Sequence, residues 1–152
     1  MPLGHLQHFL IQTIDMEQTK RWYVDVLGMD EGYTPDFKFP VAWLYVEGKD
    51  VLHLTEGGAA ISENRKKYLG QTSQAERGSG VVDHLAFHAT GLRDMIAHLR
   101  AKGVEFTQRQ VDAQGLYQLF LFDPNGVKIE LNYAATEAIG LKAEIMASDL
   151  KS

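Results

Sequence analysis

The chain of 152 residues contains no cysteine, which excludes disulfides, thiolate nucleophiles and Cys-ligated zinc. Any metal would have to be held by His, Asp or Glu. An excess of positive charge is also missing: 15 Lys and Arg stand against 20 Asp and Glu, and no basic run or stripe occurs. With a net charge of −5 there is no electrostatic footprint for a polyanion, so neither nucleic acid nor an anionic membrane surface is expected as a partner. No apolar run approaches the ~20 residues needed to span a bilayer, and MPLGHLQHFL has neither the basic nor the apolar region of a signal peptide. A cytoplasmic protein is expected. What is present is 45% hydrophobic residues, enough to bury one core or two half-cores packed as a unit.

The chain repeats a programme. Residues 6–12 alternate, with Phe9 and Ile11 on one face and His8, Leu10 and Gln12 on the other, as in a strand covered on one side. A helix follows over about 14–27, with Asp15 as N-cap, Trp22, Tyr23, Val26 and Leu27 at helical spacing, and Gly28 as its stop. Val41–Val46 and Val51–Thr55 flank the turn 47–50 and predict a hairpin. After a Gly-, Ser- and charge-rich stretch, the order returns. A strand over 81–88 precedes a helix with Leu92, Met95, Ile96 and Leu99 at i, i+3, i+4 and i+7, stopped by Gly103. Strands over 104–109, 116–122 and 127–133 complete the copy, the last two joined by Asp123-Pro124-Asn125-Gly126. The expected division is a first β-α-β-β-β module over 1–56, a linker over 57–80, a second module over 81–134 and a C-terminal helix over 135–152, all one functional domain.

Superposing the halves with an offset of 76 places His8 on His84 and Gln12 on His88, and a slip of one more places His53 on Glu130. Two pairs of potential ligands then occupy equivalent strands. Alternation puts His84, Ala86 and His88 on one face and leaves Lys128, Glu130 and Asn132 opposite the apolar Ile129 and Leu131. If Pro124-Asn125 is a two-residue loop, Glu130 pairs with Leu119 and Asn132 with Tyr117, which turns Tyr117 toward the same face. His88 and Tyr117 then stand as proton-handling or substrate-orienting groups, or as solvated rim positions. Trp43 and Tyr45 are expected in the core.

Leu6-Gln7-His8 before a helix ending Tyr23-Val24-Asp25-Val26-Leu27-Gly28, Val82-Asp83-His84 before a helix ending Gly103-Val104, and Phe122-Asp123-Pro124-Asn125-Gly126-Val127-Lys128-Ile129-Glu130-Leu131 resemble the vicinal oxygen chelate superfamily. That superfamily includes glyoxalase I, bleomycin resistance proteins and extradiol dioxygenases, and the likeness covers residues 5–134. It implies an α+β fold of two paired β-α-β-β-β modules forming a curved mixed sheet around a metal cavity. The modules pair within one chain or between two, and a homodimer is expected. It further implies a divalent metal on His8, His84 and Glu130, with His53 where glyoxalase I commonly has a second glutamate. Fe2+, Mn2+, Zn2+, Ni2+ or Co2+ suits such a set.

Two activities follow from the resemblance. One is a glyoxalase-like lyase or isomerase acting on a small molecule with adjacent oxygens, in which the metal is a Lewis acid and Glu130 the natural base. The other is an Fe(II)-dependent catechol dioxygenase. Leu119-Phe120 replaces the aliphatic-Tyr pair of that group and no His occurs over 105–118, so His53, His88 or Tyr117 would have to serve instead. A metal-free small-molecule binding or resistance protein is the alternative outside enzymology.

Overall fold

In the computed structural model, which describes residues 2–146, the chain divides between Gly78 and Ser79 into two compact units. The first contains β1 (Phe9–Thr13), α1 (Met16–Asp25), β2 (Asp30–Glu31), β3 (Val41–Val46), β4 (Lys49–Glu56) and α2 (Glu63–Leu69). Its strands form one mixed sheet in the order β1-β4-β3-β2, with β1 parallel to β4 and the other neighbours antiparallel. The second contains β5 (His84–His88), α3 (Leu92–Ala101), β6 (Thr107–Val111), β7 (Leu116–Phe122), β8 (Lys128–Ala134) and β9 (Ile145–Met146). Its order is β5-β8-β7-β6-β9, with β5 parallel to β8. Both units are therefore βαβββ modules, the second with a short added edge strand. Among the described residues no helix is long and apolar enough to cross a membrane.

Local chemistry explains the elements. Asp15 caps α1 by accepting from the Gln18 N–H at 3.0 Å, and Gly28 at φ 74 closes it by donating to the Val24 carbonyl. Glu47 and Gly48 both have positive φ, 52° and 77°, the conformation that lets a two-residue turn match strand twist. The hairpin is thus tighter than the four-residue turn expected. At the end of α3, Val104 N–H reaches back to the Leu99 carbonyl. This wrap-up uses Val104 in the helix stop, which is why β6 begins at Thr107 and not at 104.

Packing follows alternation. Ile11, Leu52, Leu54 and Leu44 are buried beneath Tyr23 and Val26 in the first unit, and Leu119, Leu121, Ile129 and Leu131 with Leu92, Ile96 and Leu99 in the second. Each fully buried Leu or Ile stabilises by roughly 1.5–3 kcal/mol relative to exposure, so one sheet face is committed to its helix and the other is left for polar groups.

Three further expectations differ from the structure. The stretch 57–80 contains α2, whose N-cap Ser62 accepts from the Arg65 N–H at 3.2 Å; seven residues are too few to show helical periodicity. Beyond β8, residues 135–138 form only a 3-10 turn, Gly140 sits at φ 84, and Ile145–Met146 pair with β6. The expected C-terminal helix is therefore not formed through 146, and its remainder lies outside the described residues.

The third difference is register. The loop between β7 and β8 spans five residues, 123–127: the Asp123 N–H donates to the Val127 carbonyl, and its Oδ1 accepts from the Asn125 and Val127 N–H groups, each at 2.8 Å. Phe122 faces Lys128, Phe120 faces Glu130 and Gln118 faces Asn132. A one-residue slip moves every side chain to the opposite face, so Tyr117 lies with the core and Gln118 takes the face assigned to it. Asp123 is buried, and Asp123→Ala is expected to cost about 2 kcal/mol by stranding those N–H groups, measurable by urea denaturation.

Candidate metal centre

The parallel ladders place the repeated histidines and their partners in matching slots. Leu10 faces His53 across β1 and β4, and Ala86 faces Glu130 across β5 and β8. The offset of 76 for the first strand and 77 for the last is thus a property of the ladders. In each unit the first histidine stands two residues before the pairing row, on the same face.

In the second unit, Glu130 is 6% exposed. Its Oε1 accepts from Gln118 Nε2 at 2.7 Å, and its Oε2 lies 2.9 Å from His84 Nε2. His84 Nδ1 is 2.8 Å from Asp83 Oδ1, which also meets Lys128 Nζ at 2.8 Å. Lys128 first and His84 second hold the Asp83 carboxyl below its usual range. With the His84 proton on Nδ1 facing Asp83, the Nε2 lone pair meets a carboxylate oxygen. Only a cation between them, a proton or a metal ion, makes that contact favourable. A carboxylate orienting a histidine through its other nitrogen is the usual support of a metal ligand. Two donors about 2.1 Å from one ion stand about 3.0 Å apart at the right angle of an octahedral site, a spacing this pair matches.

Gln118 was not anticipated; the five-residue loop register is the signal that reveals it. It also donates to Asn132 Oδ1 at 2.7 Å and accepts from Arg109 Nε at 2.6 Å. Tyr117 is fully buried, its hydroxyl donating to Gln108 Oε1 at 2.8 Å, and burial raises its pKa. It does not join the candidate site. His88 is exposed on the Glu130 face, opposite Asn132 in the ladder.

The first unit brings its pair together differently. His8 and His53 stack with ring centroids 3.9 Å apart and planes at 16°, and Trp43, which faces His53 in the ladder, stacks on the other side at 4.3 Å and 6°. Trp43 therefore lines this face, where a core position was expected. His8 Nδ1 meets Gln7 Oε1 at 3.0 Å, and His53 Nε2 meets Asp50 Oδ2 at 2.7 Å. Burial lowers the His53 pKa and outweighs the Asp50 hydrogen bond that raises it, leaving a neutral ring that donates from Nε2 and keeps a lone pair on Nδ1. Stacked rings do not converge two nitrogens on one point, so only one of this pair fits an ion without a ring turn. Among the described residues no group of three or more His, Asp or Glu is gathered in metal-binding geometry.

The sequence model of the Glyoxalase/Bleomycin resistance protein/Dioxygenase superfamily matches residues 5–131. The chain belongs to this superfamily. It is 24% identical over 142 residues to the lactoylglutathione lyase of Schizosaccharomyces pombe, covering 83% of this chain and 46% of the relative. The chain thus spans about half the length of that superfamily member. Among solved structures, the fosfomycin resistance protein FosX from Listeria monocytogenes has a TM-score of 0.62 at 15% identity, covering 86% of this chain and 93% of that one. TnmS3, an antibiotic binding protein from Streptomyces sp. CB03234, has a TM-score of 0.61 at 22% identity, covering 88% and 98%. These likenesses show the superfamily fold.

The His53 environment gives a prediction. Protonation opposes its burial, so the first module loses stability as pH falls below the ordinary histidine value of 6.5 toward the lower folded one. In metal-free protein, NMR titration is expected to give a His53 midpoint below 6.5. Asp50→Asn should lower it further, because Asp50 favours the charged ring; an upward shift would contradict this assignment.

Proposed function

We propose that the protein is a divalent-metal-dependent lyase or isomerase of the glyoxalase type, acting on a small molecule with adjacent oxygens. The observation that supports it most is the His84–Glu130 contact at 2.9 Å, with Gln118 fixing one carboxylate oxygen and Asp83 fixing the ring. His84 and Glu130 from the second module and His8 from the first form the proposed ligand set, with His53, stacked on His8, joining it only if a ring turns. A divalent ion bound by these residues supplies Lewis-acid polarisation of the two substrate oxygens.

The protein's own residues supply the rest. Glu130 is the sole carboxylate of the set and the base that carries a proton between the substrate's two carbons. Gln118 holds Glu130 Oε1 in place during that transfer, leaving Oε2 as the working oxygen. His53, neutral through burial, is a ligand or a hydrogen-bonding group for substrate, and exposed His88 handles protons at the rim. The wall of Trp43 and His53 excludes water from one side. A catechol dioxygenase loses one of its three substitute groups, because Tyr117 is turned into the core and only His53 and His88 are left to serve.

The second reading, a metal-free small-molecule binding protein, draws on the Trp43–His53–His8 stack, a flat surface suited to a planar guest. Metal loading separates the two. Protein equilibrated with Ni2+, Co2+ or Zn2+ and then dialysed is expected to retain about one ion per chain, and His84→Ala to lose it. Turnover of hemithioacetals, followed by ultraviolet absorbance, should fall about 10²–10⁴-fold in Glu130→Gln, the range for a lost general base. Wild-type protein that retains no ion favours the binding protein, and oxygen uptake with catechols would restore the dioxygenase.

A further inference from the structure

Among the described residues of the first unit, one buried charged group, Arg65, is unused by the chemistry above. Arg65, on α2, is 5% exposed, and burying a guanidinium is costly unless its charge is neutralised and its N–H groups are bonded. Its acceptors are neutral: Nη1 donates to the Gly70 carbonyl, and Nη2 to Gln12 Oε1 at 3.3 Å. Nε is buried without a hydrogen-bond partner, and Arg65 takes part in none of the ion pairs among the described residues. Nε and Nη2 together form the edge of the fork that takes a carboxylate or phosphate side-on. Here that edge holds a single long bond to an amide.

Gln12 is held as loosely, donating from Nε2 to the Ser73 and Ala75 carbonyls, both at 3.3 Å. It faces Thr55 in the ladder, two residues along from the row of Leu10 and His53 and on the same face. Two residues of strand span about 7 Å, so the Gln12 position is within reach of a small molecule lying against His53.

We propose that Arg65 is an oxyanion-binding group: the Nε–Nη2 edge takes a carboxylate or phosphoryl group of the ligand, and the Gln12 amide gives way to it. The substrate class becomes a small molecule with adjacent oxygens at one end and an oxyanion roughly 7 Å or more away. The first end rests on the metal reading above; the oxyanion site does not.

The test uses chelator-treated, metal-free protein, with melting temperature followed against sodium phosphate and sodium malonate, and sodium chloride matched for ionic strength. Wild-type protein is expected to melt higher in phosphate or malonate than in chloride, and whichever anion acts tells phosphoryl from carboxylate. Gln12→Glu supplies the missing anion internally, so it should melt higher than wild type in anion-free buffer and stop responding. Arg65→Met should also stop responding; should that variant not fold, Gln12→Glu decides alone. A wild-type response no greater than that to chloride, or a response kept in Gln12→Glu, overturns the proposal. An anion response in wild-type protein that binds no metal overturns the metal reading and leaves this one standing.

Discussion

The structure depends on one constraint, the parallel pairing of the first strand of each module with its last. Parallel neighbours need a crossover, and in both modules a ten-residue helix provides it and covers one sheet face. Alternation then leaves the other face to every second residue: His8, Leu10 and Gln12 beside Val51, His53 and Thr55, and His84, Ala86 and His88 beside Lys128, Glu130 and Asn132. Within each module the candidate groups, His8 with His53 and His84 with Glu130, share a face because the helix has claimed the opposite one.

The two copies use this shared plan for different physics. In the second module the pair is an imidazole against a carboxylate, and its network extends from Lys128 through Asp83 and His84 to Glu130, Gln118 and Arg109. A buried carboxylate held this way stays in place because each oxygen has a partner. In the first module the pair is aromatic, with His53 between Trp43 and His8 and kept neutral by burial. Position 12 differs in the same sense. Exposed His88 has as its counterpart Gln12, which ties the 57–78 segment to the sheet.

Much of this was legible in the sequence because it is periodic. Phe9 and Ile11, Leu85 and Phe87, and the helical spacing from Leu92 to Leu99 announce the modules, and Asp15, Gly28 and Gly103 mark the helix ends. The correspondence of His53 with Glu130 was visible as a one-residue slip, and the ladders carry it. What failed was geometry set by single turns. Asp123 closes a five-residue loop through its own carboxylate, a choice that turn propensity does not separate from a two-residue loop, and the error exchanged Gln118 for Tyr117. The apolar character of Trp43 does not tell the two faces of a strand apart; only its pairing with His53 does. Arg65 gave no signal, since burial of a charged residue on a short helix comes from tertiary packing.

The central proposal is that repeat-equivalent residues serve one metal ion, whether the modules pair within one chain or between two. X-ray absorption of the Co2+-reconstituted protein counts the imidazoles bound to that ion. The account predicts two to three imidazole scatterers, with one fewer in His8→Ala and one fewer in His84→Ala. A spectrum with a single imidazole, or one unchanged by His8→Ala, would contradict it.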